Sequence, residues 1–318
     1  MKKLFAIVAG EPDSINSEIL VKAYKKTKHK KNLFIIGNYI FLKKQISKIG
    51  LKIKISKINT ISEFNKKNFN VLDVPFKFKY IFKNNKSDTE NYVLKCLDVA
   101  HKLALTKKIK GFINAPIDKK IFHNKFLGVT EYLASKNKIR DEAVMMIYNK
   151  DLAVVPLTTH LEIKDVTKKI KNDLIMIKLI TLSKFYSKLF KKKPKIAILG
   201  LNPHNSENRH NSIENKVIKP ALQKLKKLGI NIKGPFPADT VFNNQKKLDF
   251  NIIVGMYHDQ VLAPFKAVYG YDAINITLGL KYWRASPDHG VAKDIIGKNK
   301  ANPLSLIKTI SFFNKIND

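Results

Sequence analysis

Apolar runs of strand length alternate with helix-length runs along all 318 residues of the chain. Strands separated by helices pair through crossovers, so the alternation predicts an α/β fold with largely parallel sheets. Residues 4–9, 33–36, 111–115, 195–201, 252–256 and 274–278 read as strands, and 143–148 with 152–157 as a hairpin around Asn149-Lys150-Asp151. Residues 15–26, 39–49, 88–107 and 213–228 read as helices, as do a lysine-rich region over 165–192 and a C-terminal segment from Pro303. Val93, Leu97, Ala100 and Ala104 form one apolar stripe on the third of these. Residues 51–87 are poorly patterned, with short strands expected at 51–55 and 76–82, and 234–240 reads as a loop.

Composition removes several classes of function. Hydrophobic residues make up 44% of the chain, enough for a packed core. No apolar run approaches the ~20 residues that a membrane helix needs. The start, Met1-Lys2-Lys3-Leu4-Phe5-Ala6-Ile7-Val8, resembles a signal peptide but is too short, and it reads as the first strand. Cys96 is the only cysteine, so no intrachain disulfide forms and a reducing cytoplasm fits. A net charge of +35 suggests a nucleic-acid partner. Against that partner, arginine occurs only at 140, 209 and 284, and the lysines are spread along the chain. Abundant lysine, asparagine and isoleucine together have the look of A/T-driven drift. The basic surface would still favour an anionic substrate.

Three of the eight histidines share one context: His160, His204 and His258 each follow an apolar strand-like run. If those strands are parallel neighbours, their carboxyl ends converge, where open α/β sheets bind ligands. Three imidazoles and an open position make a catalytic metal arrangement, best suited to zinc, with magnesium or cobalt as alternatives. The competing reading is three separate polar residues at strand ends. Lys266, Asn275 and Arg284 form a second polar group, in which Arg284 stands out in a lysine-rich chain. Thr130, in Gly128-Val129-Thr130-Glu131, reads as a helix cap able to present backbone N–H groups to an anion.

At these residues the chain resembles the 4-hydroxythreonine-4-phosphate dehydrogenase family of pyridoxal phosphate biosynthesis. The blocks are Leu157-Thr158-Thr159-His160-Leu161, Gly200-Leu201-Asn202-Pro203-His204, Gly234-Pro235-Phe236-Pro237-Ala238-Asp239-Thr240 and Met256-Tyr257-His258-Asp259-Gln260. Asn275-Ile276-Thr277-Leu278-Gly279-Leu280 and Ser286-Pro287-Asp288-His289-Gly290 complete them. The run on to Gly297 also resembles the adenine-binding loop of isopropylmalate and isocitrate dehydrogenases.

The resemblance implies two α/β domains around a central cleft, residues 1–138 with 288–318 and residues 139–287. It implies a homodimer with shared active sites, a small phosphorylated hydroxy-acid substrate, and NAD or NADP as cofactor. It places one divalent metal on His160, His204 and His258, and substrate contacts on Thr130, Lys266, Asn275 and Arg284. Lys266 and Asn275 become the catalytic candidates, and His289, Gly290, Ala292 and Asp294 the cofactor loop. The implied reaction is oxidation of 4-hydroxythreonine 4-phosphate followed by decarboxylation. A dehydrogenase of another phosphorylated four-carbon acid, such as a phosphothreonate or phosphoerythronate, is the alternative. An inactive enzyme fold binding nucleic acid is a further one. Two departures stand out. Ser14 and Asn16 replace family glycines in the first loop, and Val129 replaces a family histidine that contacts substrate.

Overall fold

The computed structural model describes residues 4–123, 125–270 and 272–316; the charged start at residues 1–3 lies outside them. The strands are β1 (Phe5–Val8), β2 (Leu33–Gly37), β3 (Ile55–Ile58), β4 (Phe69–Asp73), β5 (Gly111–Asn114) and β6 (Val144–Tyr148). They continue with β7 (Ala153–Pro156), β8 (Ile196–Leu199), β9 (Ile232–Phe236), β10 (Ile252–Gly255), β11 (Ile274–Leu278) and β12 (Trp283–Pro287). The chain divides into two compact units, Met1–Val129 with Lys281–Asp318, and Thr130–Leu280.

In the first unit the strands run β3-β4-β2-β1-β5-β12, every pair parallel. Parallel sheets covered on both faces select continuous apolar strands, and all four residues of β1 are buried. The helix Lys86–Leu105 lays the predicted stripe inward: Val93, Leu97, Ala100 and Ala104 are buried, with Cys96 beside them. Full burial of a side chain such as Leu97 contributes about 1.5–3 kcal/mol. Residues 76–82, expected as a strand, are irregular. Phe76 and Phe78 instead turn inward onto Phe41, with ring centroids 5.0 and 4.9 Å away. Aromatic packing thus replaces sheet pairing in that segment.

In the second unit the order is β11-β6-β7-β10-β8-β9. β6 pairs antiparallel with β7, the predicted hairpin, and β7, β10, β8 and β9 are parallel. The core of β7, β8 and β10 takes Val261, Leu262 and Phe265 from the helix His258–Tyr269. Two expectations need correction. The 234–240 loop is the end of β9 followed by the helix Ala238–Leu248, and 165–192 is two helices, Ile163–Lys169 and Asn172–Phe190. Among the described residues no helix is long and apolar enough to cross a membrane.

Candidate active site

β7, β10 and β8 lie side by side with β10 between, in register Ile252↔Ala153 and Ile252↔Ile196. Their carboxyl ends therefore do converge. Pairing persists past the strands: Leu157 N–H donates to Gly255 O at 2.8 Å, and the Thr158 hydroxyl to Met256 O at 2.7 Å. This zipper carries His160 alongside His258, ring centroids 5.7 Å apart. Both rings are half-buried. His258 opens the helix His258–Tyr269, and its Nδ1 lies 2.6 Å from Asp259 Oδ1. A carboxylate there accepts Nδ1–H and leaves Nε2 as a lone-pair donor, the usual outer partner of a metal-binding histidine. Gln260 fixes the same turn, accepting from Met256 N at 2.7 Å and donating to Gly200 O at 2.7 Å.

His204 is not gathered into the pair. It lies exposed in the turn Pro203–Asn208, and no group of three His, Cys, Asp or Glu among the described residues could hold a metal ion. Converging strand ends thus juxtapose two of the three imidazoles within one chain. The turn is organised by Glu214, fully buried, which accepts from Leu201 N at 3.0 Å, Asn202 N at 2.9 Å and the Ser206 hydroxyl at 3.0 Å. Burial alone would raise this carboxyl, but the Asn202 amide first, then its own amide and the Ser206 hydroxyl, hold it below its usual range.

Thr130 is not a cap. The helix Val129–Asn137 starts one residue before it, so Thr130 sits in the first turn with its hydroxyl 3.4 Å from that of Thr277 on β11. Asn275, two residues back on the same strand face, keeps a buried Oδ1 with no hydrogen-bond partner. Glu131 accepts from the Thr159 hydroxyl at 3.2 Å, which ties this helix start to the His160 segment. Lys266 lies half-buried on the helix His258–Tyr269.

Arg284 and the cofactor candidates belong to the first unit. Arg284 lies in β12, only 3% exposed, and its Nε donates to Asn114 Oδ1 at 2.7 Å. His289 has a buried Nε2 without a partner, and burial lowers its pKa. A Cβ on Gly290 would meet nothing within 4 Å, Ala292 is left-handed at φ 45°, and Asp294 is exposed. The other ring nitrogen, Nδ1, lies 3.1 Å from Gly290 O, so an open backbone beside an imidazole with one free nitrogen suits a flat nucleobase. In the first loop the Asn16 side-chain amide donates to Pro116 O at 2.8 Å. Next to it a cavity of about 190 Å³ is lined by Glu11, Asp13, Lys86, Asp118 and Lys293. The motifs contain Glu131, Asp259 and Gln260 but give them no role, and Glu214 and this cavity have no signal in the sequence; all depend on contacts between distant segments or on side-chain direction.

A largely parallel α/β fold with paired imidazoles at adjacent strand ends puts the chain in the open-sheet α/β class, in which ligands bind outside the carboxyl ends of the strands. Residues 29–313 match the family described as "Pyridoxal phosphate biosynthetic protein PdxA", and the chain belongs to that family, a family of oxidoreductases. A 4-hydroxythreonine-4-phosphate dehydrogenase of Sulfurihydrogenibium sp. (strain YO3AOP1) is 38% identical over 96% of this chain and 95% of its own length. A D-threonate 4-phosphate dehydrogenase of Pectobacterium atrosepticum is 28% identical over 98% of both chains. The crystal structure of 4-hydroxythreonine-4-phosphate dehydrogenase from Klebsiella pneumoniae superposes with a TM-score of 0.86 at 28% identity, covering 98% of this chain and 97% of that one.

Proposed function

We propose that this chain is a metal-dependent, NAD(P)-linked dehydrogenase in pyridoxal phosphate biosynthesis. It oxidises 4-hydroxythreonine 4-phosphate, and the resulting β-keto acid loses carbon dioxide to give 3-amino-2-oxopropyl phosphate. The observation that carries the reading is the His160–His258 pair at neighbouring strand ends, one ring oriented by Asp259, in a chain of this family.

His160 and His258 would hold a divalent ion, zinc or alternatively magnesium or cobalt, with His204 as the third ligand. Because His204 stands exposed and apart, the third imidazole of each site is best supplied by the partner in a homodimer. When bound, the ion would supply positive charge at the substrate hydroxyl, and the nicotinamide would supply a hydride acceptor for the carbon that bears it. Lys266 handles the proton of that hydroxyl or stabilises the developing oxyanion. Asn275, with its buried unpartnered oxygen, orients the substrate together with Thr130 and Arg284. His289, Gly290, Ala292 and Asp294 hold the adenine end of NAD or NADP. A single, buried cysteine supports a reducing, cytoplasmic setting for the chain.

The Pectobacterium relative supports a second reading, oxidation of a phosphothreonate, because Val129 replaces the family's substrate-contacting histidine. Metal analysis of the purified protein, combined with NAD(P) reduction over a panel of four-carbon hydroxy-acid phosphates, separates them. Turnover of 4-hydroxythreonine 4-phosphate above all others supports the first. Preference for the non-amino acids supports the second, and no bound metal with no turnover of any removes both.

A further inference from the structure

The turn carrying His204 is built against the preference of its backbone. His204, Asn205, Ser206, Glu207 and Asn208 have φ of 47°, 55°, 55°, 49° and 54°, five successive non-glycine residues in the left-handed region. That conformation crowds Cβ against the following carbonyl oxygen; of these types asparagine and histidine visit it more often, serine and glutamate rarely, and five in succession is uncommon for any. Something must hold the turn. Glu214 provides the densest set of contacts: Leu201 N, Asn202 N and the Ser206 hydroxyl all donate to its carboxylate, which thus grips the turn on both sides of His204. Asn215, the next residue, donates to Asn208 O at 2.7 Å and Arg209 O at 2.8 Å and closes the far end. Asn205 anchors the middle, donating to Pro235 O at 3.1 Å.

We propose that Glu214 is a positioning residue for His204: its carboxylate holds the left-handed turn in the path that presents this imidazole as a metal ligand. The proposal rests on the metal reading above. The Glu214 carboxylate is buried and taken up by the Leu201, Asn202 and Ser206 donors, which makes it a support of the turn and not a ligand. It acts through the direction of the His204 ring, in the way outer partners of metal-binding histidines affect affinity.

The test uses the full chain and Zn2+, with affinity read by competition against a chromophoric chelator. Amide exchange over residues 200–209 is followed in the metal-free protein. Glu214→Ala should weaken zinc binding roughly 10- to 100-fold and speed exchange in that segment while leaving β7 and β10 protected. Glu214→Gln keeps one acceptor oxygen and should lose less; it decides the matter if the alanine variant does not fold. Ser206→Gly with Glu207→Gly in the Glu214→Ala background should recover part of the affinity, because glycine adopts the left-handed path without crowding. A purely structural role for Glu214 would lower the melting temperature without this metal defect and its rescue. Wild-type zinc affinity in both Glu214 variants, beside a His204→Ala protein that has lost zinc, overturns the positioning role alone. Wild-type affinity in His204→Ala overturns the metal reading and the role of Glu214 with it.

Discussion

Glu11 is 6% exposed and keeps Oε2 without a hydrogen-bond partner at the edge of the first unit's cavity. Burial pushes its carboxyl up from 4.5 to about 7, although the Asp118 amide and Lys293 pull the other way. A raised carboxyl is bound to its proton in the folded chain while the unfolded chain has already ionised. Its cost is therefore absent below about pH 4.5, grows as pH rises, and is complete above about pH 7, at about 3 kcal/mol. Glu11→Gln cannot ionise, so its stability relative to wild type should rise by about that amount between pH 4.5 and 8, measured by urea unfolding. Parallel pH curves for the two proteins would mean that Glu11 ionises freely. At Val129 the expectation concerns substrate. Restoring an imidazole with Val129→His should raise kcat/KM for 4-hydroxythreonine 4-phosphate roughly ten- to a hundredfold, the worth of a hydrogen bond to a charged group. Ordinary turnover by the wild type with no gain in the variant would show that another side chain already fills the role. His160 and His258 could be paired from sequence because each follows a buried strand. Asp259, Gln260 and Glu214 could not be given roles, since nothing local indicates what a side chain will meet across the sheet.

Gly111 opens β5 opposite Trp283 of β12, at φ 157°. A Cβ there would sit 2.0 Å from the Trp283 carbonyl oxygen, inside the pairing itself. Gly111→Ala should push the strands apart and cost about 3 kcal/mol or more in urea unfolding, at the severe end of single substitutions. A midpoint within error of wild type would mean that β12 can shift without loss. The elements legible in the sequence were those buried on both faces, such as β1, β8 and β10, whose apolar runs have one reading. β12 was not legible, because Arg284 and Ser286 interrupt its pattern although both are buried. β9 was hidden by Gly234-Pro235, and the helix His258–Tyr269 by its His-Asp-Gln start and internal Pro264. In each case long-range packing or pairing overrides a local signal that points to a loop.

For the whole molecule, the proposed homodimer makes a mixing experiment decisive. A His160→Ala chain and a His204→Ala chain, each inactive alone, should regain part of the activity after subunit exchange, because one of the two sites in the mixed dimer has all its ligands. Absence of recovery with exchange confirmed would place all three histidines on one chain. The first unit has a different consequence, set by the order in which a ribosome makes the chain. Its sheet is closed by β12, paired to β5, and its helix Asn16–Lys26 is tied to the tail through Ala301 N–H on Glu18 at 2.6 Å and Lys22 on Asn299 O at 2.9 Å. Those pieces come from Lys281–Asp318, after all of Thr130–Leu280 has been translated. At ~5–20 residues per second, the nascent chain holds β5 as an open sheet edge for roughly ten seconds or longer. An open edge recruits other strands. The interval when this protein is most exposed to misassembly, and when a chaperone has most to shield, is therefore fixed by where β12 falls in its gene.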